Sequence, residues 1–186
     1  MPSIDPIENW QVSHLAAMTP EALLELFGEL QPPEPGELVG EYAGVDYLGR
    51  TEASFAAALG RVLGGGGWFW LGKAFPGTEG DGASGYNRVV NDDREVARRD
   101  RYGIAFGDSP FDGKPSLLLK YSDFDNAAGS IGFLDEVRKV NDRLFLCTGR
   151  ADEGKGEVGF FFLVGPATPF VGVDDPNSEL LVGSPA

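Results

Sequence analysis

The amino-acid sequence predicts a mainly β protein, an antiparallel up-and-down barrel of about eight to ten strands with an N-terminal helix and a lid helix. Eight short segments have the composition of strands, and turn signals such as Asp112-Gly113 and Asn141-Asp142 separate them. The 186 residues include 27 glycines and 13 prolines, which suits a chain with many turns. Many short strands with few helices are typical of a barrel or a sandwich.

Two helices are predicted from apolar spacing and end signals. Thr19-Pro20-Glu21 combines an N-cap residue, a first-turn proline and an early acid. Apolar side chains follow at helical spacing until Pro32-Pro33, which predicts a helix over residues 19–30. A second helix is predicted over residues 51–63, because its apolar stripe is followed by four glycines. It lies between the first two strands, so we expect it to act as a lid over the barrel mouth.

The predicted barrel occupies the middle of a single domain that spans residues 1–186. Residues 1–36 are expected to form an arm and helix, residues 37–165 the barrel, and residues 166–186 a tail that is flexible from Asp174 onward. The strands are predicted at residues 37–44, 67–75, 85–91, 99–106, 115–121, 130–140, 142–149 and 156–164.

Composition argues against several classes of function. The chain has 15 Lys and Arg against 29 Asp and Glu, a net charge of −14 that repels phosphate backbones and anionic lipids. No apolar run approaches the roughly 20 residues of a membrane helix. Residues 1–11 have neither a basic region nor an apolar run, so we expect no export signal. A single cysteine, Cys147, favours a reducing cytoplasm, and a single histidine, His14, argues against a multi-histidine metal site. We therefore expect a cytoplasmic protein with no cofactor, no metal, no nucleic-acid partner and no membrane span.

Several predicted strands are apolar on both faces, although the outer face of a barrel is normally polar. The clearest cases are Trp68-Phe69-Trp70-Leu71, Leu117-Leu118-Leu119 and Phe160-Phe161-Phe162. Two explanations remain open. Either the N-terminal arm, helix 19–30 or a partner covers the outside, or the inside holds an apolar ligand.

Polar side chains on these apolar strands are the candidates for chemistry. They are Lys73, Tyr86, Asn87, Arg88, Arg101, Lys120, Tyr121, Asp135 and Arg138. Because side chains alternate along a strand, Asp135 and Arg138 face opposite sides unless a bulge intervenes. Asp135 shares its face with Phe133 and is the better interior candidate. A carboxylate buried there requires a partner such as Lys73 or Arg101, or else it takes a proton.

Short glycine-rich and aromatic motifs carry a resemblance to a known family. Gly40-Glu41-Tyr42-Ala43-Gly44 is similar to a Gly-x-Trp-x-Gly strand with Tyr42 at the Trp position, and Gly72-Lys73-Ala74-Phe75 is similar to a later Gly-Lys-x-Phe segment. Residues 134–142 resemble an Asp-x-Phe-Arg-Lys-Val-x-Asp hairpin, with Val137 in place of Phe, and residues 159–163 resemble a Phe-rich closing strand. Over residues 22–164 the chain resembles a divergent member of the GXWXG/DUF4334 family. The resemblance implies a lipocalin-like, or calycin-like, β-barrel and no settled activity.

Binding of a small hydrophobic or amphipathic molecule is the leading hypothesis, since a barrel of about eight strands can hold one small ligand. Lys73, Arg101 or Arg138 would then pair with a ligand carboxylate or polar head, because mostly apolar pockets use a few polar anchors. The expected ligand-binding residues are Tyr42, Trp68, Trp70, Lys73, Arg101, Tyr121, Phe133, Asp135, Arg138 and Phe161.

Two other classes of function remain open. The first is a cofactor-independent isomerase, cyclase or dehydratase, with Asp135 as general acid or base, Tyr121 as proton donor and Lys73 as oxyanion stabiliser. The second is a protein–protein interaction module that uses the two-sided apolar strands as a homodimer face. The sequence does not separate these classes, because a barrel interior suits binding and reaction for the same reasons.

Overall fold

The computed structural model describes residues 5–47, 68–80, 83–177 and 179–183. Eight antiparallel strands form a closed barrel in chain order, so the predicted up-and-down barrel is confirmed. The strands are β1 (Val39–Asp46), β2 (Trp68–Pro76), β3 (Ser84–Asn91), β4 (Val96–Asp108), β5 (Pro115–Lys120), β6 (Leu134–Asn141), β7 (Leu144–Arg150) and β8 (Gly159–Thr168). The predicted lid helix at residues 51–63 lies outside the described residues.

Short helices flank and interrupt the strands. They are α1 (Val12–Ala16), α2 (Pro20–Glu29), α3 (Ala127–Ser130) and α4 (Ala151–Gly154), with 3-10 turns at Ile7–Asn9 and Tyr121–Asp123. α2 confirms the helix predicted over residues 19–30. The Thr19 hydroxyl caps its first turn by accepting the Ala22 N–H at 3.3 Å, as the sequence predicts. The strand predicted from residue 130 begins only at Leu134. The Asn126 side chain caps α3 by accepting the Gly129 N–H at 2.8 Å, which commits that segment to a helical turn.

The N-terminal helices cover the outer face of β7 and β8. Leu15 of α1 and Leu23 and Phe27 of α2 are fully buried, and they form one apolar cluster with Leu146 and Phe162. Burying each such side chain contributes about 1.5–3 kcal/mol. Helices of the same chain therefore explain the two-sided apolarity of the segment Phe160-Phe161-Phe162, whereas residues 68–71 and 117–119 do not belong to this cluster.

The inward side chains fill only one end of the barrel. There Tyr42 packs edge-on against Phe75 and Phe145, with ring centroids 5.6 Å and 5.7 Å away. Leu117 and Leu163 close the same end and are at most 1% exposed. Because this end is solid, any internal cavity must lie toward the opposite end, where β2, β4, β6 and β8 begin.

The C-terminal segment is tied to the barrel, which corrects the expectation of a flexible tail from Asp174 onward. The Asp174 carboxylate accepts the Arg98 N–H at 2.8 Å. Glu179 is 8% exposed, and its carboxylate accepts the backbone N–H groups of Asp100 and Arg101 at 2.6 Å and 2.5 Å. Sequence patterning missed this contact because its donors are main-chain groups, which any residue supplies.

A buried carboxylate, Glu41, joins four strands on the outside of the barrel. It is 1% exposed and forms ion pairs with Arg88 at 3.0 Å and Arg98 at 2.7 Å. Burial by itself raises the pKa of Glu41, but hydrogen bonds from Arg98, Thr168 and Tyr86 and the charge of Arg88 bring it below its ordinary value. Glu41 is therefore a charged clamp between β1, β3, β4 and β8.

Candidate ligand-binding site

A cavity of about 440 Å³ occupies the end of the barrel where β2, β4, β6 and β8 begin. Its volume is in the range of small-molecule sites. The larger apolar side chains on its walls are Trp68, Trp70, Val89, Ile131, Phe133 and Phe161. The polar side chains that border it are Asp46, Lys73, Asn87, Arg99, Asp100, Tyr121 and Asp135. The cavity thus combines aromatic walls with a small set of polar groups.

Glycine in β1 makes room for the largest wall residue. A Cβ atom on Gly44 would lie 2.3 Å from the indole ring of Trp70, so a side chain there would displace the indole. With glycine in place, Trp70 packs edge-on against Phe161 with ring centroids 5.4 Å apart. The glycine-rich pattern of β1 therefore shapes the cavity wall.

A four-residue hydrogen-bond network forms the polar floor of the cavity. The Lys73 ammonium lies 2.6 Å from Asp135 Oδ2, and it donates to Tyr121 Oη at 2.5 Å and to Asn87 Oδ1 at 2.9 Å. Asn87 Nδ2 donates to Tyr121 Oη at 2.7 Å, and the Tyr121 hydroxyl donates to Asp135 Oδ2 at 3.2 Å. We refer to Lys73, Asn87, Tyr121 and Asp135 as the polar floor.

The polar floor is desolvated. The side chains of Lys73 and Asp135 are 3% and 2% exposed. Burial raises the pKa of Tyr121 well above its ordinary value, and the nearby Asp135 carboxylate raises it further, so Tyr121 stays protonated at neutral pH. The Lys73 ammonium also lies 5.0 Å from the ring centroid of Tyr121 and 5.3 Å from that of Phe161, within the range of cation–π attraction.

A β-bulge in β4 brings a further carboxylate to the cavity. The register with β3 shifts where Gly85 pairs with Tyr102 and Asn87 pairs with Arg99. Within this bulge Asp100 adopts a left-handed φ of 54°, which is uncommon for a residue other than glycine. Its N–H is held by Glu179, and its C=O accepts from Asn87 Nδ2 at 3.2 Å. The bulge explains why two consecutive residues, Arg99 and Asp100, both border the cavity.

The structure brings most of the predicted site residues to the cavity. Those that line it are Trp68, Trp70, Lys73, Tyr121, Phe133, Asp135 and Phe161. Tyr42 also points into the barrel, but it is 2% exposed in the packed end and does not line the cavity. Asp135 faces inward and Arg138 outward, on opposite sides of the strand as alternation predicts.

Two predicted cationic anchors, Arg101 and Arg138, do not line the cavity. Arg101 donates to the Glu179 carbonyl at 3.2 Å, and its guanidinium stacks on Phe124 at 4.2 Å. The C-terminal segment thus holds it on the outer face of β4. Arg138 is fully buried beneath α2 on the outer face of β6, where it donates to the Phe27 carbonyl at 2.7 Å. Sequence alone identified these residues as polar on apolar strands but did not show which covering segment would pair with them.

Four cavity-lining polar residues were not among the predicted ligand-binding residues: Asp46, Asn87, Arg99 and Asp100. Asn87 carried a usable signal, because it was among the polar residues on apolar strands. Arg99 carried a weak signal, because its charged stretch is typical of a solvated hairpin end but also allows a nearby anion subsite. Asp100 carried none, because only the bulge brings it to the cavity.

Comparisons with known proteins support the fold alone. A crystal structure of a protein from Thermomonospora curvata superposes with a TM-score of 0.55 at 19% sequence identity, covering 85% of this chain and 97% of that chain. No protein-family model and no curated protein match the sequence. The likeness agrees with the barrel architecture. Among the described residues, no helix is long and apolar enough to cross a membrane.

Proposed function

We propose that the protein binds a small hydrophobic or amphipathic molecule in the cavity of the barrel. The observation that carries this proposal is an aromatic cavity of about 440 Å³ above a desolvated polar floor. Burial of roughly 200 Å² of apolar ligand surface there would contribute about 5 kcal/mol before the entropy cost of binding. We also propose that the chain is a divergent member of the GXWXG/DUF4334 family, supported by the motifs at residues 40–44 and 72–75 and by the closed barrel that the family resemblance implies.

Filling the cavity with a larger side chain should weaken ligand binding. Val89 lines the cavity and is 7% exposed. We expect Val89→Trp to weaken binding of the neutral fluorophore N-phenyl-1-naphthylamine at least about tenfold, because the indole occupies the ligand's space. Val96→Trp is the matched control, since Val96 lies on the adjacent strand and is 41% exposed. Probe emission is titrated in both variants after each is shown to be folded by circular dichroism. Equal affinity in the two variants would place the binding site elsewhere.

A cofactor-independent enzyme is the second candidate, and the convergence of Asp135, Tyr121 and Lys73 favours it. Tyr121 donates to Asp135, and both contact the same ammonium, so a proton donor, a carboxylate and a cation meet at the cavity floor. An isomerase, cyclase or dehydratase would use these groups on the bound molecule.

The variant Asp135→Asn, which removes the carboxylate charge, distinguishes the enzyme hypothesis from the binding hypothesis. We expect wild-type protein and Asp135→Asn, each purified from cells without delipidation, to yield bound compounds on solvent extraction and mass spectrometry. For an enzyme, Asp135→Asn retains a substrate that differs from the compound in the wild type. The same compound in both samples would contradict the enzyme and favour a binding protein.

A further inference from the structure

The polar floor has no hydrogen-bond donor left for a ligand. An ammonium carries three N–H donors, and those of Lys73 are matched by acceptors on Asp135, Asn87 and Tyr121. Both N–H groups of Asn87 are used, by the Asp100 carbonyl and by Tyr121. The Tyr121 hydroxyl donates to Asp135, and the Trp70 indole N–H donates to Asn87 Oδ1 at 3.0 Å. A ligand group that only accepts hydrogen bonds and lies at the polar floor would have to break one of these bonds.

The cavity also lacks an uncompensated positive charge among its described lining residues. Its two cations are Lys73, 2.6 Å from Asp135, and Arg99, whose Nε forms an ion pair with the Asp100 carboxylate at 3.4 Å but makes no hydrogen bond. Arg99 further stacks over Trp68 at 4.9 Å. A ligand carboxylate would therefore be desolvated without gaining a cation of its own, which is costly. The expectation that Lys73, Arg101 or Arg138 pairs with a ligand carboxylate is not supported by this arrangement, because Lys73 is already paired with Asp135 and the two arginines do not line the cavity.

Asp100 is the group placed to recognise a donor. A carboxylate accepts about four hydrogen bonds, and the ion pair with Arg99 uses only part of that capacity. The left-handed backbone of Asp100 is held at both its N–H and its C=O. Such conformations persist only where the surroundings determine them, and they recur at ligand sites. The Asp100 carboxylate is thus preorganised at the cavity wall.

We propose that the ligand is an apolar molecule whose polar head is a hydrogen-bond donor, a hydroxyl or an amine, and that Asp100 accepts this hydrogen bond. This inference rests on the proposed function. The cavity would therefore select an alcohol or an amine over an ether or a carboxylate.

The test uses probes with chains of nearly equal size. Binding of 1-decanol, its ether isomer 1-methoxynonane, decylamine and decanoate is measured by displacement of N-phenyl-1-naphthylamine. We expect decanol to bind at least about fivefold more tightly than the ether, and decanoate to bind most weakly. Asp100→Asn should reduce the advantage of decanol over the ether, because an amide oxygen is a weaker acceptor than a carboxylate. Asparagine tolerates the left-handed backbone, so this variant should fold.

Asp108→Asn is the matched control, since Asp108 lies exposed at the end of the same strand. It should leave all four affinities unchanged. A larger loss for decylamine than for decanol in Asp100→Asn would identify a charged amine as the preferred head group, and the reverse would identify a hydroxyl. Equal affinity for decanol and the ether, or tighter binding of decanoate, would overturn the inference and leave the proposed function standing. Failure of all four probes and of the fluorophore to bind would count against both.

Discussion

Lys73→Met should lower the free energy of unfolding by about 3–5 kcal/mol, because it leaves the Asp135 carboxylate buried without its cation. The two side chains are 3% and 2% exposed, and 2.6 Å separates the ammonium from the carboxylate. The same substitution removes one hydrogen bond each from Tyr121 and Asn87. Loss of a buried charge partner is thus combined with loss of the network around it.

The double variant Lys73→Met/Asp135→Leu, compared with the two single variants, measures the interaction energy between Lys73 and Asp135. We expect it to cost clearly less than the sum of the two single variants, because neither charge is then left alone in the interior. Urea unfolding followed by circular dichroism measures all three. Lys155→Met, at an exposed position, should change stability by less than about 0.5 kcal/mol. A loss below about 1 kcal/mol for Lys73→Met would mean that water reaches the pair, which contradicts a desolvated floor.

Arg138→Met should cost about 2–4 kcal/mol of stability and leave ligand affinity unchanged. The Arg138 guanidinium donates twice to Asp112, at 2.8 Å for each bond, and once to the Phe27 carbonyl at 2.7 Å. It also stacks over the Phe27 ring at 4.2 Å. Since Asp112 is 15% exposed, water can rehydrate it in part, which places the expected loss below that of an entirely enclosed pair.

The conservative variant Arg138→Lys should recover little of this stability, because an ammonium cannot make the two parallel bonds to Asp112. Arg143→Met, at an exposed position on the β6–β7 turn, should be close to neutral. Stability is measured by urea unfolding, and affinity by fluorophore titration under native conditions. If folded Arg138→Met lost affinity for the fluorophore while its stability was unchanged, Arg138 would be a ligand-binding residue. That result would contradict its assignment to the contact between α2 and the barrel.

Much of the barrel could be predicted because its signals are local. Period-two alternation and turn residues located all eight strands, and the same alternation predicted that Asp135 and Arg138 lie on opposite faces. The segment before Leu134 was assigned wrongly as strand, because a side-chain cap from Asn126 decided the local conformation. The strand propensity of the individual residues contains no information about such a cap.

The polar floor was only partly predictable. The sequence offered Lys73 or Arg101 as the partner of a buried Asp135, or protonation of the carboxyl, and the structure has Lys73 at 2.6 Å. Asp100 was not anticipated, since its contact with the cavity depends on a bulge whose N–H groups are bound by a distant glutamate, Glu179. Arg101 and Arg138 were assigned to the cavity because strand polarity alone does not show whether a side chain meets a ligand or a covering segment.

A crystal structure of the protein purified without delipidation tests the central claim most directly. The account predicts density for a small molecule in the cavity, against the walls that Trp70 and Phe161 form, with an oxygen or nitrogen atom within hydrogen-bond distance of the Asp100 carboxylate. Solvent extraction of the same preparation should then yield a compound of matching size. A cavity filled by side chains of the protein itself, with no small molecule in the extract, would contradict the claim that the barrel is a binding site.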